Sequence, residues 1–87
     1  MKIMSIIALF ILSTTVWAGP ECTTEPKEKW KDQKEFKAEL EKNYKIKVFK
    51  VTKGNCYEIY GWNKEGQKIE IYFNPVTGAV VKEKIQK

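Results

Sequence analysis

CYEIYGWNKEGQKIEIYFNPVTGAVV, Cys56 to Val81, is the stretch that decides the fold. Apolar and polar residues alternate on both sides of the central NKEGQ, the period-2 pattern of half-buried strands. Gly66 suits the left-handed position of a short loop, Lys64-Glu65-Gly66, with Asn63 opening a type I turn. That loop sets a register: Asn63 opposite Gln67, Trp62 opposite Lys68, Tyr60 opposite Glu70, and Glu58 opposite Tyr72. On the other face Ile59 meets Ile71, and Tyr57 meets Phe73. Sliding the pairing by two residues would set Glu58 directly against Glu70, a like-charge contact that disfavours the slip. Asn74-Pro75 and Gly78 then stop the strand, and a Lys-rich run, Ala79 to Ile85, suits a sheet edge.

Working upstream, YKIKVFKVT (Tyr44 to Thr52) is a further strand. Ile46 and Val48 alternate with lysines before Phe49 and Val51 shift the phase, so a bulge is expected near Val48-Phe49. DQKEFKAELEKNY before it is a helix, about Asp32 to Asn43. Asp32 and Glu35 have capping-box spacing, and Phe36, Leu40 and Tyr44 form one apolar stripe. The segment GPECTTEPKEKW, Gly19 to Trp30, has prolines at 20 and 26 and reads as an irregular arm. The expected fold is α+β: one helix packed on a small antiparallel β-meander of three to four strands.

The chain has 87 residues and a formal net charge of +5. Met1-Lys2, the apolar run Ile3 to Val16 and the small residues of VWA, Val16 to Ala18, have the pattern of a secretory signal cut after Ala18. A membrane anchor is the rival, but the run is shorter than the roughly 20 residues needed to span a bilayer. The expected organisation is residues 1–18 signal peptide, 19–31 arm and 32–87 domain, in a periplasmic or secreted protein with no membrane span after cleavage. In that oxidising setting Cys22 and Cys56 are expected to pair and tie the arm down. Closing so long a loop stabilises a fold by about 3–4 kcal/mol in the chain-entropy model. A redox dithiol would call for a C-x-x-C spacing, which is absent. With Cys56 on the outer face, the arm should cross the side away from the helix, and Trp30 should pack near Tyr60 and Tyr72.

The chain has no His and no Arg, and all its Ser and Met residues precede Gly19. No Ser-His or Cys-His nucleophile pair can be built from the rest, nor an ordinary zinc or haem site. Glu58 and Glu70 can approach on one sheet face, but an acid–base dyad needs a deep cleft that so short a domain does not offer. The reading is a non-enzyme without cofactor or metal. Tyr60, Trp62 and Tyr72, on the outer face, are the candidate partner-binding residues; the alternative is that the arm covers them, with Trp30 completing a second small core. Nucleic acid is disfavoured by the absence of Arg and by lysines interleaved with glutamates.

The order of these pieces resembles small secreted PepSY-domain proteins, whose domain is shared with propeptides of thermolysin-like metallopeptidases and with YpeB-type proteins. The resemblance covers about Asp32 to Val81. Its most telling part is a strand ending in Asp-Pro-x-Thr-Gly, here Asn74, Pro75, Val76, Thr77 and Gly78, with Asn in place of the more usual acid. The resemblance implies no catalytic residue. It implies a binding module acting on a protein partner in the cell envelope, with inhibition of a peptidase or other hydrolase the first expectation. An accessory subunit of an envelope redox or transport complex is suggested by related domains. A cationic binder of envelope surfaces is suggested by the lysines alone.

Overall fold

The computed structural model describes residues 19–86; the expected signal peptide, residues 1–18, lies outside them, as does Lys87. Helix α1 (Gln33–Leu40) is followed by β1 (Lys45–Val51), β2 (Tyr57–Trp62), β3 (Lys68–Phe73) and β4 (Val80–Gln86). The strands form one antiparallel sheet in the order β1-β2-β3-β4, so β1 and β4 are its edges. The arm contains one turn of 3₁₀ helix, Lys27–Lys29, entered from Pro26.

The β2–β3 register is the one that the loop chemistry dictates, from Tyr57 opposite Phe73 to Trp62 opposite Lys68. Gly66 has φ +81°, its N–H donates to the Asn63 carbonyl, and the Asn63 N–H donates to that of Gln67. The Asn63 side chain locks the loop further by accepting from the N–H groups of Glu65 and Gln67.

Asp32 caps α1, its carboxylate accepting from the Glu35 N–H at 3.0 Å. The helix is shorter than Asp32–Asn43. The Leu40 carbonyl accepts from both Asn43 and Tyr44, which tightens the last turn and aims the chain into β1. The stripe nonetheless lands as expected: Phe36 is buried, and Leu40 and Tyr44 pack against the core. The core is largely aromatic, with Phe36 at 5.3 Å from Phe73 and 5.7 Å from Tyr57 between ring centroids. Ile59, Ile69 and Ile71 complete it.

The bulge falls one residue or so earlier than Val48-Phe49. Ile46 faces Gly61 and Val48 faces Tyr60, so Lys47 is the extra residue. Both Ile46 and Phe49 thereby reach the helix side. Gly61 permits this, because a Cβ there would collide with the Lys45 carbonyl. A second irregularity, at Val81, separates the Phe73–Val80 and Tyr72–Lys82 pairs.

The Cys22–Cys56 disulfide is present and joins the arm to the start of β2. Around it the Cys22 N–H donates to the Gly54 carbonyl, and Asn55 Nδ2 donates to the Thr23 carbonyl. Trp30 corrects the expected path. It packs edge-on against Tyr57, 5.6 Å between centroids, on the helix side and not beside Tyr60 and Tyr72. The reason lies just after it. The Lys31 N–H donates to the Pro75 carbonyl, and the Tyr57 hydroxyl donates to the Lys31 carbonyl at 2.6 Å. The arm therefore starts on the open face, rounds the end of the sheet and finishes over the core.

Substituting Gly61→Ala should destabilise the protein by about 1–3 kcal/mol, the usual range for forcing volume into a packed site. Urea unfolding monitored by Trp fluorescence would measure it, and Gly66→Ala, a strained position with open space around it, should be milder.

Candidate functional site

Alternate residues of each strand leave the core and form the face opposite α1. β2 contributes Glu58, Tyr60 and Trp62, and β3 contributes Lys68, Glu70 and Tyr72. Val48 and Lys50 join them from β1, and Lys82 and Lys84 from β4. The face has two unlike halves.

The half nearest the arm is largely covered, around a cavity of about 620 Å³ that Gly19, Glu58, Glu70 and Tyr72 help to line. Gly19, with φ +101°, lies against the Tyr72 ring so closely that a Cβ would sit 2.9 Å from its Cε2 atom. Tyr72 is accordingly only 7% exposed, and Glu58 beside it only 2%. The Tyr72 hydroxyl donates to Glu70 Oε2 at 2.9 Å. Lys84 Nζ stands 3.8 Å from Glu70 Oε1, and Lys50 Nζ 3.8 Å from Glu58 Oε1. Glu58 Oε2 has no hydrogen-bond partner among the described residues.

The two carboxyl groups shift in opposite directions. Burial, and then its hydrogen bond with Glu70, push the Glu58 carboxyl above the ordinary range. Glu70 moves the other way, held down chiefly by the bond from Glu58. Glu58 therefore holds its proton to higher pH than Glu70 does. Burial pushes the Tyr60 hydroxyl up to about 12, with the bond to Glu58 adding to it. Burial raises the Tyr72 hydroxyl as well, and its bond to Glu70 adds to that.

The other half is open. Tyr60 is 36% exposed and Val48 40%, with Trp62 half-buried beside them. Lys45 Nζ lies 5.8 Å above the Trp62 ring and Lys50 Nζ 5.4 Å above Tyr60, so cations already cap part of the aromatic surface. A shallow cavity of about 490 Å³ has these rings as its floor and Lys47, Lys68 and Lys84 at its rim. This surface suits docking more than turnover: it is shallow, and of the two carboxyl groups only Glu70 lines it, Glu58 being buried outside it.

Of the outer-face aromatics, then, Tyr60 and Trp62 share the open half, while Tyr72 forms the floor under Gly19. Asn74, Pro75, Thr77 and Gly78 lie at the far end of β3. Asn74 Oδ1 accepts from the Val76 N–H at 2.8 Å, Thr77 Oγ1 accepts from Ala79, and Gly78 has φ +81°. Asn74 Nδ2 also donates to the Cys22 carbonyl at 3.1 Å. An ionised Asp would have no hydrogen to make that bond, so the Asn side chain serves the arm. Sequence reasoning missed that link, although the Asn itself was its signal. Neither the seating of Gly19 nor the burial of Glu58 has a local signal. Among the described residues no cluster of three or more His, Cys, Asp or Glu side chains could hold a metal.

The family model described as "Peptidase propeptide and YPEB domain" matches residues 2–84. The chain belongs to this family, and the match extends well upstream of the span on which the resemblance rests. Comparison with curated proteins and with solved structures returns no match. A propeptide-like module acting through protein contacts accords with the family. The disulfide fits the extracellular or periplasmic setting typical of such proteins, and no described helix is long and apolar enough to cross a membrane.

The opposite shifts of the two carboxyl groups have a thermodynamic signature. With Glu58 raised, the folded chain holds a proton that the unfolded chain releases. Its contribution to stability is therefore present below the ordinary glutamate value of 4.5 and lost as pH rises through its raised value. Glu70, lowered, has the opposite sign and loses its contribution as pH falls through its depressed value. With the Gly19 nitrogen in peptide linkage, as in the 87-residue chain, Glu58→Gln should flatten the decline on the alkaline side while keeping a donor toward Glu70. Melting temperatures from about pH 4 to about pH 8 would read this directly.

Proposed function

We propose that this chain is a non-catalytic binding module, exported to the periplasm or cell exterior, that docks on an envelope peptidase or other hydrolase and restrains it sterically. The observation that carries this reading is the strip of Val48, Tyr60 and Trp62 uncovered on the face opposite α1, beside an edge strand that itself exposes Val80, Val81 and Ile85. It stands in a family whose description is that of peptidase propeptides. A rigid sheet that presents two aromatic side chains within a polar rim has the anatomy of an interface centre, with the lysines excluding water around it. Restraint of this kind requires only that the docked domain occupy the partner's cleft.

A second reading draws on the lysines. Lys50, Lys68, Lys82 and Lys84 lie on the same face, and an anionic envelope polymer would be attracted to them. Such binding falls steeply with salt, whereas a contact centred on Tyr60 and Trp62 does not.

Photo-crosslinkers at Tyr60 and Trp62, with a control at Lys34 on α1, should capture one dominant hydrolase from the face and nothing from the helix. Tyr60→Ala should weaken that complex about tenfold or more, as loss of a buried aromatic anchor does. Capture of membrane redox proteins would favour the accessory-subunit alternative. Equal capture from both faces would contradict docking through the sheet.

A further inference from the structure

Glu58 is the outstanding unexplained group in the molecule. It is 2% exposed, faces away from the core, and leaves Oε2 without a partner among the described residues. The groups around it come from every neighbouring element: Lys50 from β1, Tyr60 from its own strand, Glu70 and Tyr72 from β3, and Lys82 from β4. Lys50 and Lys84 reach only the Oε1 atoms of Glu58 and Glu70, each at 3.8 Å. The Tyr72 hydroxyl is committed to Glu70 Oε2. Among the described residues no cation stands opposite Glu58 Oε2.

The remaining wall of that cavity, about 620 Å³, is Gly19. Its Cα rests on the Tyr72 ring, and a Cβ would lie 3.0 Å from the Tyr72 hydroxyl oxygen. Its nitrogen is one bond, about 1.5 Å, from that Cα. Gly19 is also the residue at which the expected signal cleavage would open the chain. Hydrolysis of the Ala18–Gly19 amide by water leaves a carboxylate on Ala18 and, after protonation, an ammonium on Gly19.

We propose that removal of residues 1–18 makes the α-ammonium of Gly19 the partner of Glu58, so that processing itself completes the charge site on the open face. The site then holds two carboxylates against the ammonium, Lys50 and Lys84. Glycine suits this seat because a side chain would strike Tyr72. In the unprocessed chain the same nitrogen is an uncharged amide and offers Glu58 no opposite charge. The arm is thus bound at its first residue by charge and at Cys22 by the disulfide, and the first of these bonds forms only on the processed chain. The inference shares export with the proposed function and is independent of docking, so a failed crosslink leaves it untouched.

The test compares the chain beginning at Gly19 with the same chain acetylated on that nitrogen; all described elements of the fold lie within both. The Glu58 side-chain carboxyl is followed by carbon NMR through a pH titration. Its midpoint should be about one to three pH units lower in the free-amine form, the usual effect of an adjacent opposite charge. The α-amine should titrate above its ordinary value of about 8. Free amine should also raise the melting temperature at neutral pH, and Glu58→Gln should abolish most of that gain. Coincident Glu58 titrations in the two forms would overturn the proposal, as would an α-amine at its ordinary value. So would an exported protein whose intact mass places its first residue elsewhere than Gly19.

Discussion

The structure depends on one constraint, the clamp that holds the arm across the end of the sheet. Cys22 is bonded to Cys56, its N–H to Gly54 and its carbonyl to Asn74. From that fixed point the chain runs both ways. Backward, Pro20 and Gly19 lie over the open face and close Glu58 and Tyr72 from solvent. Forward, Trp30 reaches Tyr57, and Lys31 is bonded at both its backbone groups. A domain this small, with a helix of only two turns, buries little apolar surface by itself. The arm supplies what the helix cannot.

The same clamp divides the open face into its two parts. Where the arm lies, Glu58 and Glu70 stand beneath it, their titrations shifted in opposite directions, with lysines on either side. Beyond its reach, Tyr60 and Trp62 meet solvent under partial cover of Lys50 and Lys45. A partner approaching the strip would therefore exchange lysine–ring contacts for its own, which keeps an exposed aromatic patch from acting as a general adhesive. Membership of the propeptide family agrees with a domain whose features serve contact and rigidity.

Much of this was legible in the sequence because short-range chemistry dictates it. Asn63 and Gly66 admit one loop, and that loop fixes every β2–β3 pair, while the repulsion between Glu58 and Glu70 opposes the nearest alternative. The Phe36, Leu40 and Tyr44 stripe identified the buried side of α1. The helix end and the bulge were displaced by small amounts, since each is set by what the backbone must do next: turn into β1, or pass over Gly61. Trp30 was misplaced for a different reason. Its position follows from hydrogen bonds made by Lys31 with Pro75 and Tyr57, partners distant in the chain and invisible to periodicity. The burial of Glu58 was illegible likewise, because alternation assigns a face and says nothing of what later covers it.

The arm clamp is tested most directly by hydrogen exchange on the disulfide-bonded and the reduced protein. Reduction should expose the Cys22 and Lys31 amides to exchange well before the central amides of β2 and β3, showing that the arm opens as a unit hinged on Cys22. If both amides stay as protected in the reduced chain as in the oxidised one, the arm is held without the disulfide. The clamp would then not be the constraint on which the fold relies.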